Sequence, residues 1–333
     1  MESPLTAKSP AAPKKSFDLF QALYKYGTIL TIAVLIIVFT AANPAFIQGS
    51  NIVNILRSIS IVTIIAIGIT ISLSVDGFDL SVGSVASLSN AIAISMFVWF
   101  SQNIWVAILL AIVASLLVGA INAFMIVKIK IPDMLLTLAT MFIIQGVALT
   151  YTKGATVSQN MVMPDGSMAE GVISPFFSKI GEVPWIILIM AAIVVIVHLF
   201  LTYTKHGRYM YIIGGNKEAA RLSGIPVHTY KMVAYLLSAL LASIGGIVLA
   251  SRVMTAEINS GAPYLMDSVA AAFIGFSVFG AGKANAFGTL IGAILIGILQ
   301  NGLVMLSVPY YSMDIVKGAV LAFALGITYY KHK

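Results

Sequence analysis

The stretch Lys205–His228 reads KHGRYMYIIGGNKEAARLSGIPVH and is a polar interruption between two long apolar runs. Asn216 suits the N-cap of a short helix, because its side chain accepts hydrogen bonds from first-turn amides. Three apolar residues follow at helical spacing: Ala219, Ala220 and Leu222. Gly224 and Pro226 then end the helix. We therefore predict a charged helix that a soluble partner can push, held between two membrane spans. The alternative is a plain cytoplasmic loop.

Composition identifies the chain as a membrane protein. It is 59% hydrophobic and 9% charged, with a mean hydropathy of +1.00, whereas soluble domains are about 25% charged. The absence of cysteine excludes disulfides and cysteine metal sites, and the four histidines lack metal-ligand spacing. We expect no metal site and no catalytic residue. The formal charge of +7 is spread over several loops, which argues against binding of nucleic acid.

The apolar runs predict an all-α integral membrane protein of about ten spans. They lie at approximately 27–47, 56–75, 80–100, 104–127, 134–151, 183–203, 229–251, 266–280, 286–307 and 313–329. Most lysines and arginines fall in connections on one side if both termini are cytoplasmic. Residues 1–25, rich in Ser, Pro, Ala and Lys, predict a disordered cytoplasmic tail. Residues 26–333 then form one transmembrane domain with the cytoplasmic loop 204–228.

An inverted repeat is a hypothesis that the span order supports. Spans two to five and seven to ten would form two halves of opposite orientation. The second span of each half opens with a similar tetrapeptide, Asp79-Leu80-Ser81-Val82 and Asp267-Ser268-Val269-Ala270. Transporters built this way place the pathway at the interface of the repeats.

Polar residues near and inside the spans are the candidates for contact with a solute. Asp79 has two interpretations, as part of a gate or brace with Ser81, or as the N-cap of the third span. Uncharged hydrogen-bonding residues suit a neutral polyhydroxylated solute better than an ion, although each can also join two helices. The pathway or gate candidates are Asp79, Ser81, Asn90, Asn122, Thr137, Thr140 and Gln145.

Two motifs resemble the ribose-type sugar permease subunits of ATP-binding cassette importers. Gly214–Ile225, GGNKEAARLSGI, is similar to the coupling-loop signature of that family, and Asp76–Ser84, DGFDLSVGS, is similar to a second hallmark. The resemblance runs from about Phe46 to about Tyr329, with the motifs in the family's order. It implies a type II-like importer fold. The coupling residues that it implies are Gly214, Gly215, Asn216, Glu218, Ala219, Ala220, Arg221, Leu222 and Gly224.

The resemblance also implies partners and a location. Two permease copies, expected as a homodimer in the lipid of the cell inner membrane, would enclose a pathway for a neutral sugar. An ATPase subunit would bind ATP and magnesium, and an extracytoplasmic binding protein would deliver the sugar, so the permease needs no cofactor and is not an enzyme. Pentoses, hexoses and related cyclic signalling molecules all remain open as substrates. The rival is an ion-coupled secondary transporter, which predicts acids at mid-span, whereas Asp267 and Asp314 lie near span ends.

Overall fold

The computed structural model describes residues 19–329 except 164, 165, 258 and 279–281. These residues form thirteen α-helices, a 3₁₀-helix (Pro44–Ile47), a π-helical turn (Met125–Ile129) and two short strands. The helices are α1 (Leu19–Ala42), α2 (Gly49–Leu73), α3 (Val82–Val98), α4 (Ile104–Phe124), α5 (Asp133–Tyr151), α6 (Pro175–Ile180), α7 (Trp185–Tyr203), α8 (Lys205–Gly215), α9 (Lys217–Leu222), α10 (Val227–Val253), α11 (Ala262–Ser277), α12 (Ala286–Met305) and α13 (Tyr310–Tyr329). The strands β1 (Val157–Ser158) and β2 (Thr255–Ala256) pair antiparallel.

Six described helices are long and apolar enough to cross a membrane. They are α2, α4, α5, α7, α10 and α12. A π-helical turn extends α4 to Ile129. Three shorter apolar stretches lie in α1, α3 and α11. The chain is therefore a helical multi-pass membrane protein, while the count of about ten spans stays a prediction. Residues 1–18 of the predicted disordered tail lie outside the described residues. Helix α1 begins at Leu19, so residues 19–25 are helical although the sequence assigned them to that tail.

Side-chain caps determine where several helices begin. Asn103, Thr204, Asn216 and Asn285 each accept a hydrogen bond from a first-turn amide, at the starts of α4, α8, α9 and α12. At Asn216 the donor is the amide of Ala219, 2.9 Å from Oδ1. These caps satisfy amides that have no partner within the helix, so they separate α8 from α9 at the residue that the sequence pattern indicated.

Helix α10, of 27 residues, lies at the centre of the bundle and packs against α2, α3 and α4. Small residues bring these helices close together. A Cβ added to Gly68 would lie 3.0 Å from the carbonyl oxygen of Ser238, and one added to Gly119 would lie 2.6 Å from the Cβ of Ala239. Such close backbone approach is typical of helix packing in membranes.

The two ends of the bundle differ in character. One end, which we call the basic end, carries α8 and α9 beside the last turn of α2. The other, which we call the strand end, carries β1, β2 and α6. There the amide of Gly181 donates to Ser251 Oγ at 2.6 Å, and the rings of Phe97 and Phe177 lie 5.0 Å apart. The connections that carry β1, β2 and α6 therefore lie at the opposite end of the bundle from α8 and α9.

Helices α3 and α11 both begin inside the bundle. Ser238 Oγ donates to Asp79 Oδ2 at 2.8 Å, and Ser238 lies about 16 Å along α10 from its start. From the strand end, the amide of Gly261 donates to Ser87 Oγ at 2.9 Å. Ser87 is level with Gly246, which lies against Ala86, about 10 Å inside the end of α10. The two helix starts therefore face each other near mid-bundle.

Candidate transport and coupling sites

Helix α9 presents its charged side chains and one large apolar side chain to solvent. Leu222 is 84% exposed, and Arg221 and Glu218 form an ion pair at 2.9 Å with side chains 71% and 69% exposed. An ion pair this exposed contributes little to stability. Ala220, in contrast, is fully buried. The helix is therefore anchored through one small residue and leaves an apolar side chain free for a partner.

Helix α8 connects α9 rigidly to the bundle. A Cβ on Gly214 would lie 2.5 Å from the carbonyl oxygen of Ser74, just after α2, whereas one on Gly215 would meet nothing within 4 Å. The Tyr211 hydroxyl donates to the carbonyl oxygen of Ala284 at 2.8 Å, and burial raises the pKa of Tyr211 to about 12. Helix α8 is therefore in direct contact with the residue after α2 and with the connection before α12.

A cleft of about 610 Å³ lies between α9 and the turn that precedes α5. Its charged lining comprises four basic and two acidic side chains: Lys130, Lys217, Arg221, Lys231, Asp133 and Glu218. Asp133 forms an ion pair with Lys231, with 2.7 Å between Oδ2 and Nζ. Its Oδ2 also accepts a hydrogen bond from the Tyr235 hydroxyl at 2.7 Å. Lys130 and Lys217 have no acidic partner among the described residues. The cleft therefore has an excess of positive charge beside the exposed helix.

The Asp79 carboxylate is buried and joins α3 to α10. Its Oδ1 accepts from the Ser81 amide at 2.9 Å and from Ser81 Oγ at 2.6 Å, while Oδ2 accepts from Ser238 Oγ. The N-cap of α3 is Ser81, so the interpretation of Asp79 as that cap is wrong. The carboxylate instead satisfies polar groups of a non-helical segment inside the bundle, as the membrane environment requires.

Four of the seven predicted pathway or gate residues belong to this network. Ser81 Oγ accepts from Asn122 Nδ2 at 3.1 Å, and Asn122 Oδ1 accepts from Thr140 Oγ1 at 2.6 Å. Thr137 lies next to it and donates to the Phe78 carbonyl oxygen at 3.2 Å. The network therefore connects α10, α3, α4 and α5, and buried networks of this kind specify one arrangement of the helices they join.

The other two predicted residues lie closer to the strand end. Asn90 Nδ2 donates to Ser260 Oγ at 2.8 Å, and Gln145 Nε2 donates to Asn259 Oδ1 at 2.6 Å. Both contact the segment that enters the bundle before α11. The seven candidates therefore form two groups, one at the start of α3 and one at the start of α11.

Sequence reasoning missed several residues of these groups. Asp133, Tyr235 and Lys231 complete the polar contacts near the basic end, and Asn259 completes those near α11. One signal was readable, because Lys231, Tyr235 and Ser238 recur every three or four residues and therefore share one face of α10. No comparable pattern marked Asn259, which lies in a connection.

The acidic residues of the last spans are paired. Lys317 Nζ lies 3.3 Å from Asp267 Oδ1 and 3.1 Å from Asp314 Oδ1. The Lys317 and Asp267 side chains are each 15% exposed, whereas that of Asp314 is 89% exposed. The pair links α11 to α13, and Asp267 lacks the free carboxylate that ion coupling would use.

Comparison with known proteins gives the family. The family described as branched-chain amino acid transport system / permease component matches residues 51–325. The chain is 34% identical to the ribose import permease protein of Escherichia coli (strain K12), over 91% of this chain and 93% of that protein. It is 36% identical to the ribose import permease protein of Bacillus subtilis (strain 168), over 91% and 92%. It is 29% identical to the L-arabinose transport system permease protein of Escherichia coli (strain K12), over 99% and 98%. No solved structure matches. The chain belongs to this family of transport-system permease components, as a ribose-type member.

Proposed function

We propose that the chain is the membrane permease subunit of an ATP-driven importer of a neutral sugar. The observation that carries the proposal is similarity over about nine tenths of the chain to proteins named as ribose import permeases. A pentose is the first substrate class to test, since a further relative is named for L-arabinose. The chain is a transport subunit and not an enzyme. In this proposal ATP and magnesium are bound by a partner ATPase, and an extracytoplasmic binding protein delivers the sugar.

The proposed topology places the basic end in the cytoplasm of a cell inner membrane. Lysines gather around α9 at this end, and positive loops are retained on the cytoplasmic side. About ten spans with both termini inside, and two inverted halves, fit this orientation. The opposed starts of α3 and α11, the second helices of the two halves, support the repeat.

The ATPase is proposed to dock on the segment 204–228, with Leu222 as its apolar contact. Gly214, Gly215 and Asn216 form the joint between α8 and α9, and the α9 helix from Glu218 to Leu222 forms the docking face. Movement of α9 passes through α8 to the end of α2, and from there to the connection that carries Asp79. A rigid shift of helices then opens one end of the pathway and closes the other.

The pathway is proposed to lie along the outer side of α5, enclosed by a second copy of the chain. The supporting observation is the half-buried Gln145 together with the exposed Asn259 on that side. Amide groups are costly in hydrocarbon because no water satisfies them there. A second copy facing this side would make it the wall of a water-filled pathway and would form the expected homodimer.

Reconstitution tests the proposal directly. The permease, its ATPase and its binding protein are placed in lipid vesicles, and uptake of radiolabelled ribose, xylose and arabinose is measured with and without ATP. Uptake of at least one pentose that requires both ATP and the ATPase is expected. Equal uptake by the permease alone down an ion gradient would favour the secondary transporter and overturn the proposal.

A further inference from the structure

A small cavity lies beside the start of α11, between α3 and α5. Its volume is about 260 Å³, and its lining includes the polar residues Ser84, Ser87, Gln145 and Asn259 and the apolar residues Met141 and Leu265. None of its lining residues carries a formal charge. A cavity of this size and composition fits a small neutral molecule with both polar and apolar faces.

Two amide groups at the cavity have unused hydrogen-bonding capacity. Gln145 Nε2 donates to Asn259 Oδ1 at 2.6 Å, while Gln145 Oε1 and Asn259 Nδ2 form no other hydrogen bond within the described part of the chain. The pair of amides therefore retains an acceptor, Gln145 Oε1, and N–H donors on both Asn259 Nδ2 and Gln145 Nε2. A hydroxyl group donates and accepts at once, so adjacent sugar hydroxyls match this pair.

The cavity lies where the two inward helix starts meet. A Cβ on Gly83 would lie 2.9 Å from the Cβ of Leu265, and the Gly261 backbone lies against Gly83 and Ser87. Any sliding of α3 against α11 therefore changes the shape of the cavity. Helix starts that face each other at mid-membrane are also a recurring position for solute sites in transporters.

We propose that this cavity is a transient sugar site, in which Gln145 accepts from one hydroxyl and Asn259 donates to another. Met141 and Leu265 then pack against the C–H face of the sugar ring. This inference rests on the proposed function, because it assigns a place for the same solute within the permease. It adds a point of contact with the sugar after release from the binding protein.

Cysteine protection tests the site on the permease itself, since the natural chain contains no cysteine. A Ser84→Cys variant is reconstituted in lipid nanodiscs and labelled with a small thiol reagent while ribose, xylose or arabinose is titrated. Saturable slowing of labelling is expected with at least one pentose, while sucrose at equal molarity has no effect because it is too large. A matched Ser101→Cys variant, exposed in the connection before α4, is expected to show no protection.

The amide pair is tested by adding Gln145→Leu to the Ser84→Cys variant. The sugar concentration that gives half protection is expected to rise about 2- to 10-fold, the effect of one neutral hydrogen bond. If no pentose concentration protects Ser84→Cys, the proposal is overturned. It is also overturned if Gln145→Leu leaves the half-protecting concentration unchanged, because the amide pair would then only join two segments of the protein. Failure of the reagent to reach Ser84→Cys would also overturn it, because a sugar could not enter either.

The intact importer separates this inference from the proposed function. Asn259→Leu is expected to lower sugar uptake 2- to 10-fold, again about one hydrogen bond, while ATP hydrolysis stimulated by the binding protein remains. Gln102→Leu, in the connection before α4, is the matched control and is expected to match the wild type. If the wild type shows no ATP-driven uptake, the proposed function fails. If the wild type transports and Asn259→Leu transports equally well, only the sugar site fails.

Discussion

Two adjacent glycines in α8 provide a direct test of mechanical coupling. In Gly214→Ala the new Cβ would lie 2.5 Å from the Ser74 carbonyl oxygen, whereas ordinary contact begins at 3.4 Å. The helix must therefore shift by about 0.9 Å away from α2, and overpacking of this kind costs about 1–3 kcal/mol. In Gly215→Ala the added methyl meets nothing within 4 Å. Both substitutions replace Gly by Ala in the last turn of α8, so they differ mainly in this displacement.

The assay is the number of sugar molecules transported per ATP hydrolysed in vesicles that contain the complete importer. We expect Gly214→Ala to keep ATP hydrolysis and to lose most transport, because the shift breaks the contact between α8 and the end of α2. Gly215→Ala is expected to transport at the wild-type ratio. Equal ratios for both variants would refute the idea that movement passes through the contact between Gly214 and Ser74.

Three further substitutions test other parts of the structure. Ser238→Ala removes the donor to Asp79 Oδ2 and is expected to cost about 1–3 kcal/mol, since a buried acceptor loses a partner; an unchanged thermal unfolding temperature would contradict this. Ala220→Trp places a large side chain at a fully buried position and should abolish uptake and coupled ATP hydrolysis. Membrane insertion, measured by fractionation, should be preserved. Normal uptake would argue against the coupling role of α9. Lys317→Met leaves Asp267 largely buried without its partner, at a cost of about 3–5 kcal/mol, and adding Asp267→Asn should restore most of the unfolding temperature. A Lys317→Met variant as stable as the wild type would show that the pair contributes nothing.

Local features of the chain were predictable because they depend on neighbouring residues. The Asn216 cap and the end of α9 before Gly224 follow from hydrogen bonding and backbone geometry within a few positions. Composition and apolar length identified the membrane class for similar reasons. The family resemblance rested on two short motifs, and the comparisons confirm it.

The long-range network was not predictable in the same way. Ser238 is 159 positions from Asp79, and its place on one face of α10 does not indicate which distant residue it contacts. The entry of Gly261 into the bundle was missed because apolar counting assumes that each span begins at a membrane surface. Asp267 was therefore assigned to a span end, although α11 begins at Ala262 inside the bundle.

In the proposed importer, energy enters through α9 at the cytoplasmic side. A Leu222→Cys variant tests it most directly, because Leu222 is 84% exposed and the chain has no other cysteine. Labelling by a membrane-impermeant thiol reagent is measured in intact cells, in inverted vesicles, and in inverted vesicles after the ATPase has assembled. Labelling is expected only in inverted vesicles, and it should be lost once the ATPase is bound. Labelling from the outside of intact cells, or labelling that the ATPase leaves unchanged, would contradict it.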